Sequence, residues 1–291
     1  MERDRSRCEW CKRTEGPMIE AFLESWPLFQ EGYLAAILCG VLLSLLGVMV
    51  VGRNEVFLAA AVAQASVLGV ALSLTLEWGN PVVLAVSLSV AAALSTAGRA
   101  RRGGGRREEI TAWVFLGASS LAVLVLTRSP VGMKSVQSVL SSSLLGASTT
   151  EVWVFAIMTL IAGVAVLAWH RRLVLLLLDP VMASAAGMAV GLWSTVIAAS
   201  MGLASGLAIQ CTGLLFAFGC MVLPALIARN LSRTVGPMFL IAPATGLISV
   251  VTGLLLAHAY DFPPGQLIVA ILAALLVAAW GIRDLRLRIS G

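Results

Sequence analysis

Two short polar clusters lie inside otherwise apolar runs: Gln64 with Ser66, and Gln210, Cys211 and Thr212. A primary amide in hydrocarbon is costly unless it is hydrogen-bonded. Gln64 and Gln210 therefore have two readings. They bond across helices and fix packing, or they line a polar path. His258, beside Asp261 at the end of a later run, offers one metal ligand, although a lone histidine at a membrane interface is more often structural. Cys39, Cys211 and Cys220 sit in apolar runs, where cysteine usually behaves as a small hydrophobe. A soft-metal role for them is the alternative. Cys8 and Cys11 form a CxxC, but a zinc knuckle needs a second pair and none follows. No paired Ser/His, His-rich motif or carboxylate pair occurs in the apolar runs, which disfavours an intramembrane enzyme. The runs also lack a buried Asp, Glu, Lys or Arg, which argues against a carrier built on a carboxylate relay.

The elements that hold these residues are membrane spans. Of 291 residues 59% are hydrophobic and 12% charged, and mean hydropathy is +0.95. A soluble domain carries about a quarter charged residues. A spanning helix needs about 20 apolar residues, because the bilayer core is about 30 Å thick and the backbone must satisfy itself there. Nine candidate spans follow: 33–51, 56–76, 81–98, 110–127, 151–169, 186–202, 205–228, 237–258 and 266–282. Between Gly202 and Gly206 the sequence allows one bent helix or a tight hairpin. The expected fold is all-α, a polytopic transmembrane bundle of eight or nine spans over 33–282. A polar and amphipathic segment (1–32) precedes it and a cytoplasmic tail (283–291) follows. No nucleotide-binding loop or soluble catalytic domain remains outside the spans.

Cation placement sets the expected orientation. Alternate loops carry Arg53; Arg99, Arg101, Arg102, Arg106 and Arg107; Arg171 and Arg172; Arg229 and Arg233; and Arg283, Arg286 and Arg288. The opposite loops carry only Arg128 and Lys134. This bias places the C-terminus in the cytoplasm and the start of the first span outside. Arg3, Arg5, Arg7, Lys12 and Arg13 oppose it. That segment is translocated regardless, or lies on a membrane surface, or translation starts at Met18, where a short amphipathic lead-in (Ile19 to Gln30) begins. No apolar stretch ahead of a small-residue site suggests a cleaved signal. The net charge of +5 fits cytoplasmic loops near anionic lipid rather than nucleic-acid binding.

Small residues crowd the second span (Ala59, Ala60, Ala61, Ala63, Ala65, Gly69), which suits close packing on another helix or a dimer axis. Pro224 removes a backbone bond from the span that contains it and loosens that helix. In the loop His170–Ala185, Asp179 suits an N-cap and Pro180 the first helical position. A short helix should begin there inside the cell and stop at Gly187. Such a helix docks a partner, or simply caps a turn between spans.

Taken in order, several segments resemble the integral permeases of ABC transporters for zinc, manganese and related divalent metals. They are Gly52–Phe57 followed by Ala65–Ala71; Arg107-Glu108-Glu109; Leu144-Leu145-Gly146; Asp179-Pro180 with Ala183 and Gly187; Gln210, Gly213, Pro224, Ala225 and Ala228; and Asp261, Pro263, Pro264, Gly265, Ile268 and Val269. The likeness runs over about 30–282. It implies a bacterial inner-membrane permease subunit that pairs with a second copy or a paralogue. Two cytoplasmic ATPase subunits would hold the ATP, and an extracytoplasmic binding protein would deliver a divalent metal. The subunit itself would bind no cofactor. The resemblance assigns Asp179, Pro180, Ala183 and Gly187 to ATPase docking. With it, the polar residues Gln64, Ser66, Gln210, Cys211 and His258 become candidates for the translocation path. The family carries an Asp and a His, four residues apart, on the second span. Here Ala60 and Gln64 stand in those places. The amide keeps an oxygen donor but has neither the charge nor the imidazole suited to a divalent cation.

Overall fold

The computed structural model describes residues 18–76, 80–97, 104–127 and 147–290. Cys8, Cys11 and the Leu144–Gly146 motif lie outside them, as do Arg99, Arg101, Arg102, Arg128 and Lys134. The described chain is helical: α1 (Met18–Gly52), α2 (Val56–Leu76), α3 (Pro81–Ala97), α4 (Gly104–Thr127), α5 (Thr149–Leu178), α6 (Pro180–Ala185), α7 (Val190–Thr212), α8 (Leu214–Leu231), α9 (Met238–Tyr260) and α10 (Pro264–Ser290). Among the described residues, eight helices are long and apolar enough to cross a membrane, and α3 is a shorter apolar helix. The expected all-α bundle is present.

Lipid offers little hydrophobic drive between helices, so close packing must hold them. α1 is central: 72% of its apolar window is buried, against 6% for the peripheral α5. Leu42, Leu43 and Val48 of α1 meet Phe216 and Met221 of α8 in the core. The outward faces of α4 and α5 carry Trp113, Leu116, Leu160 and Leu167, all exposed as lipid-facing residues should be.

Three boundaries differ from the sequence reading. Of the two forms the sequence allows at Gly202–Gly206, the structure has the single helix, since α7 runs through to Thr212, so the span boundary drawn there is absent. Gly202 and Gly206 are one turn apart on a face pressed against α3. A Cβ at Gly202 would sit 2.7 Å from the Cα of Val90, and one at Gly206 would sit 2.9 Å from the Cα of Val86. Ser89 donates across the same contact to the Gly202 carbonyl at 2.7 Å. The real break is Gly213, at φ 84°, ψ 162°, a conformation that suits only glycine. Gln210, Cys211 and Thr212 thus close α7 rather than open the next span, and the single long late span becomes two helices. Second, α5 does not stop at 169. It kinks at Trp169 (φ −112°, ψ 19°) and continues to Leu178, because Leu173 and Leu176 are buried and hold the leucine run on the bundle. Third, the lead-in from Met18 is not a separate element but the first turns of α1, and α10 extends through most of the expected tail to Ser290.

Pro224 lies inside α8 without ending it. Proline cannot supply the N–H that the Cys220 carbonyl would otherwise receive. Ser44 of α1 substitutes: its hydroxyl donates to Gly40 O at 2.6 Å and reaches Cys220 O at 3.3 Å, sharing one hydrogen between the two. Ser44→Ala is expected to destabilise the bundle by about 1 kcal/mol. Thermal unfolding in detergent should register a fall of about 2–4 °C.

The two ends of the bundle match the expected sidedness of the loops. At one end Arg53 meets Ser194, Arg229 meets Asn54 and Arg283 meets Asn230. At the other, Thr149 donates to Glu31 and Gln210 donates to the Pro81 carbonyl. The segments carrying Arg53, Arg229 and Arg283 therefore share one end.

Candidate functional site: an amide-bearing cavity and a helical docking segment

Gln64 is the ninth residue of the 21 in α2, near the middle of that helix. It opens on a cavity of about 470 Å³ lined also by Ala60 and Ala63 of α2, Phe115 of α4, and Leu214, Leu215 and Phe218 of α8. Ala60 and Gln64 are four residues apart, so the helical period puts both on this wall. Gln64 brings the one side-chain amide to walls that are otherwise apolar. A tilted contact between Phe57 and Phe115 (5.3 Å between centroids) holds α4 against α2 beside it.

The other candidates do not join Gln64. Ser66 is fully buried elsewhere on α2 and its hydroxyl finds no hydrogen-bond partner. Gln210 uses its amide nitrogen to hold the Pro81 carbonyl at 2.7 Å, so it fixes the start of α3. Cys211 is half-buried near Glu151 at the start of α5, and Cys39 is fully buried near Thr212. His258 is half-buried in the last turn of α9, which Asp261 ends in the left-handed conformation (φ 52°). Among the described residues, no group of three or more His, Cys, Asp and Glu side chains is placed to hold a metal. Of the five path candidates, Gln64 lines this cavity and the other four do not.

The docking candidates are contiguous. The Asp179 carboxylate accepts from the backbone N–H of Val181 at 2.8 Å and Met182 at 3.1 Å, capping α6, and Pro180 occupies its first turn. Ala183 is buried and anchors the helix to the bundle. Gly187, at φ 81°, ends the segment, and Met188 N–H returns to Ala183 O at 3.1 Å. The sequence reading missed what this display presents. Leu178, Val181 and Met182 are 65%, 77% and 61% exposed, an apolar patch on the end of the bundle that carries the arginines.

A family model for the ABC 3 transport family matches residues 25–282. The chain belongs to that family. Among curated relatives of this ABC 3 chain, the manganese transport system membrane protein MntC of Halalkalibacterium halodurans is 24% identical over 258 residues, 89% of this chain and 88% of the relative. The chelated iron transport system membrane protein YfeD of Yersinia pestis is 23% identical over 260 residues, covering 88% and 85%. The fold is that of PsaBC from Streptococcus pneumoniae, solved in complex with a Fab. The TM-score is 0.75 at 18% identity, over 90% of this chain and 95% of that one. An ABC 3 member is a transport protein, and the eight long apolar helices among the described residues make this one multi-pass.

Proposed function

We propose that this chain is the membrane permease subunit of an ATP-driven importer for a divalent metal. It sits in a bacterial inner membrane with its C-terminus in the cytoplasm. A second copy or a paralogue completes the conduit, cytoplasmic ATPase subunits supply ATP hydrolysis, and an extracytoplasmic binding protein delivers the metal. The subunit performs no chemistry of its own. The observation that carries the reading is the pairing, in an ABC 3 chain, of an apolar docking patch on α6 with an amide-bearing cavity near the middle of α2. The cation bias supports the orientation. Work is done by differential affinity: an ATP-bound motor that favours one arrangement of α6 shifts the permease toward one open state.

One feature favours a second reading of the cargo. Ala60 and Gln64 leave this wall of the cavity without an ionised ligand, and two phenyl rings and two leucines face it. Such walls suit a metal carried inside an organic chelator better than a bare cation. Uptake of zinc, manganese and iron, each offered free and chelated, should be compared in cells with and without the gene. A gene-dependent difference for any of these supports transport, and its chelator dependence separates the two cargoes. Equal uptake of all forms contradicts both. Gln64→Ala is expected to lower the imported flux about tenfold, the ratio that about 1.4 kcal/mol represents. An unchanged flux at equal protein level would make Gln64 a packing residue.

A further inference from the structure

The turn between α1 and α2 does more than carry a topogenic cation. Arg53 Nη2 donates to Ser194 Oγ at 2.7 Å, and its Nε pairs with Glu55 Oε1 at 2.8 Å. Glu55 starts α2, its carbonyl accepting from Leu58 and Ala59 at 3.0 and 3.3 Å. Ser194 lies in the first turns of α7, which follows α6 after the Gly187 turn. One guanidinium thus joins the helix leaving the docking segment to the helix carrying Gln64. The neighbouring Asn54, at φ 55°, accepts from Arg229 Nη1 at 3.0 Å at the end of α8. α8 supplies the opposite wall of the Gln64 cavity through Leu214, Leu215 and Phe218. The three-residue turn is therefore linked to the docking limb and to two of the three helices that wall the cavity.

We propose that Arg53 is a positioning residue that transmits displacement of the α6 docking segment to α2, and so to the Gln64 cavity. The proposal rests on the permease reading above. The Arg53 and Glu55 side chains are only 14% and 8% exposed. Desolvation largely cancels the attraction in such a pair, so an apolar pair would hold a helix end equally well. What arginine adds is a planar fork whose Nη2 hydrogen-bonds Ser194 while its Nε side lies in charge contact with Glu55. Helices transmit end displacements along their axes, because their backbone bonds are internal and their side chains close-packed.

The test uses the intact permease–ATPase complex, reconstituted in liposomes with its binding protein, and Mn²⁺, Zn²⁺ and Fe²⁺ each offered free and chelated. The readout is metal imported per ATP hydrolysed. Ser194→Ala should co-purify with the ATPase in the wild-type ratio and still hydrolyse ATP. Its metal imported per ATP should fall about tenfold, the effect of about 1.4 kcal/mol and close to the worth of a hydrogen bond to a charged group. Ser194→Thr keeps the hydroxyl and should restore the ratio. Arg53→Lys keeps the charge but loses the fork, and should resemble Ser194→Ala. If Ser194→Ala and Arg53→Lys import as much metal per ATP as wild type, Arg53 is only a brace and the proposal is overturned. Wild-type complexes that hydrolyse ATP and import none of the three metals would instead overturn the permease reading, and this proposal with it.

Discussion

Val181 and Met182 changed together to Asp are expected to strip the permease of its ATPase while leaving the helical bundle folded. Both side chains are largely exposed, so the fold itself loses little. The new carboxylates sit in the first turn of α6, where the helix dipole favours negative charge. At an apolar interface, two unpaired charges must be desolvated without compensation. Affinity should fall at least about 100-fold, equivalent to about 2.8 kcal/mol. Asp179→Ala should act more weakly, because it removes a cap worth about 1 kcal/mol and leaves the patch intact. Co-purification of the ATPase with tagged permease, at matched detergent melting temperatures, measures the difference. Undiminished recovery with the double variant would remove α6 as the docking face.

Gly202→Leu is expected to destabilise the bundle strongly. Its Cβ would meet backbone: the Cα of Val90 at 2.7 Å, and Ser89 O and Val90 N at 2.9 Å. Backbone in a packed helix cannot turn aside as a side chain would, so α3 must move away from α7. The Ser89 bond to the Gly202 carbonyl is lost in the same step. Overpacking costs about 1–3 kcal/mol, and the hydrogen bond adds about 1 kcal/mol. The melting temperature should drop by about 4–16 °C. Gly163→Leu is the control, since nothing lies within 4 Å of a Cβ there. It should stay within about 0.5 kcal/mol of wild type, as surface changes do. Equal effects at the two positions would contradict the packing account.

These contacts also explain what the sequence could and could not disclose. The spans were legible because hydrocarbon thickness imposes a length and a composition on every run. The α6 cap was legible because Asp179, Pro180 and Gly187 act on neighbours within a few residues, and the structure has each where local rules put it. The Gly202 and Gly206 pair left two readings open because glycine serves both turns and close approaches. Only the partner helix, more than 100 residues away, decides between them. The same holds for the two glutamines. Gln210 and Gln64 look alike in their runs, but a carbonyl 129 residues distant occupies one and a cavity receives the other. The Arg53 link to Ser194 spans 141 residues and left only a charge count in the sequence. The apparent end of a span at His170 misled for a different reason. Three consecutive polar residues suggest an aqueous loop, but the buried Leu173 and Leu176 keep the helix intact beyond them.

The central claim is that this chain forms part of a metal conduit driven by a bound ATPase. Metal entry into liposomes holding the purified complex, with ATP supplied to the ATPase and binding protein on the opposite face, tests it most directly. The account predicts ATP-dependent accumulation of manganese, iron or zinc, free or chelated, that falls to the ATP-free level when Val181 and Met182 are both Asp. Complexes that retain an active ATPase and yet admit none of these metals would contradict it.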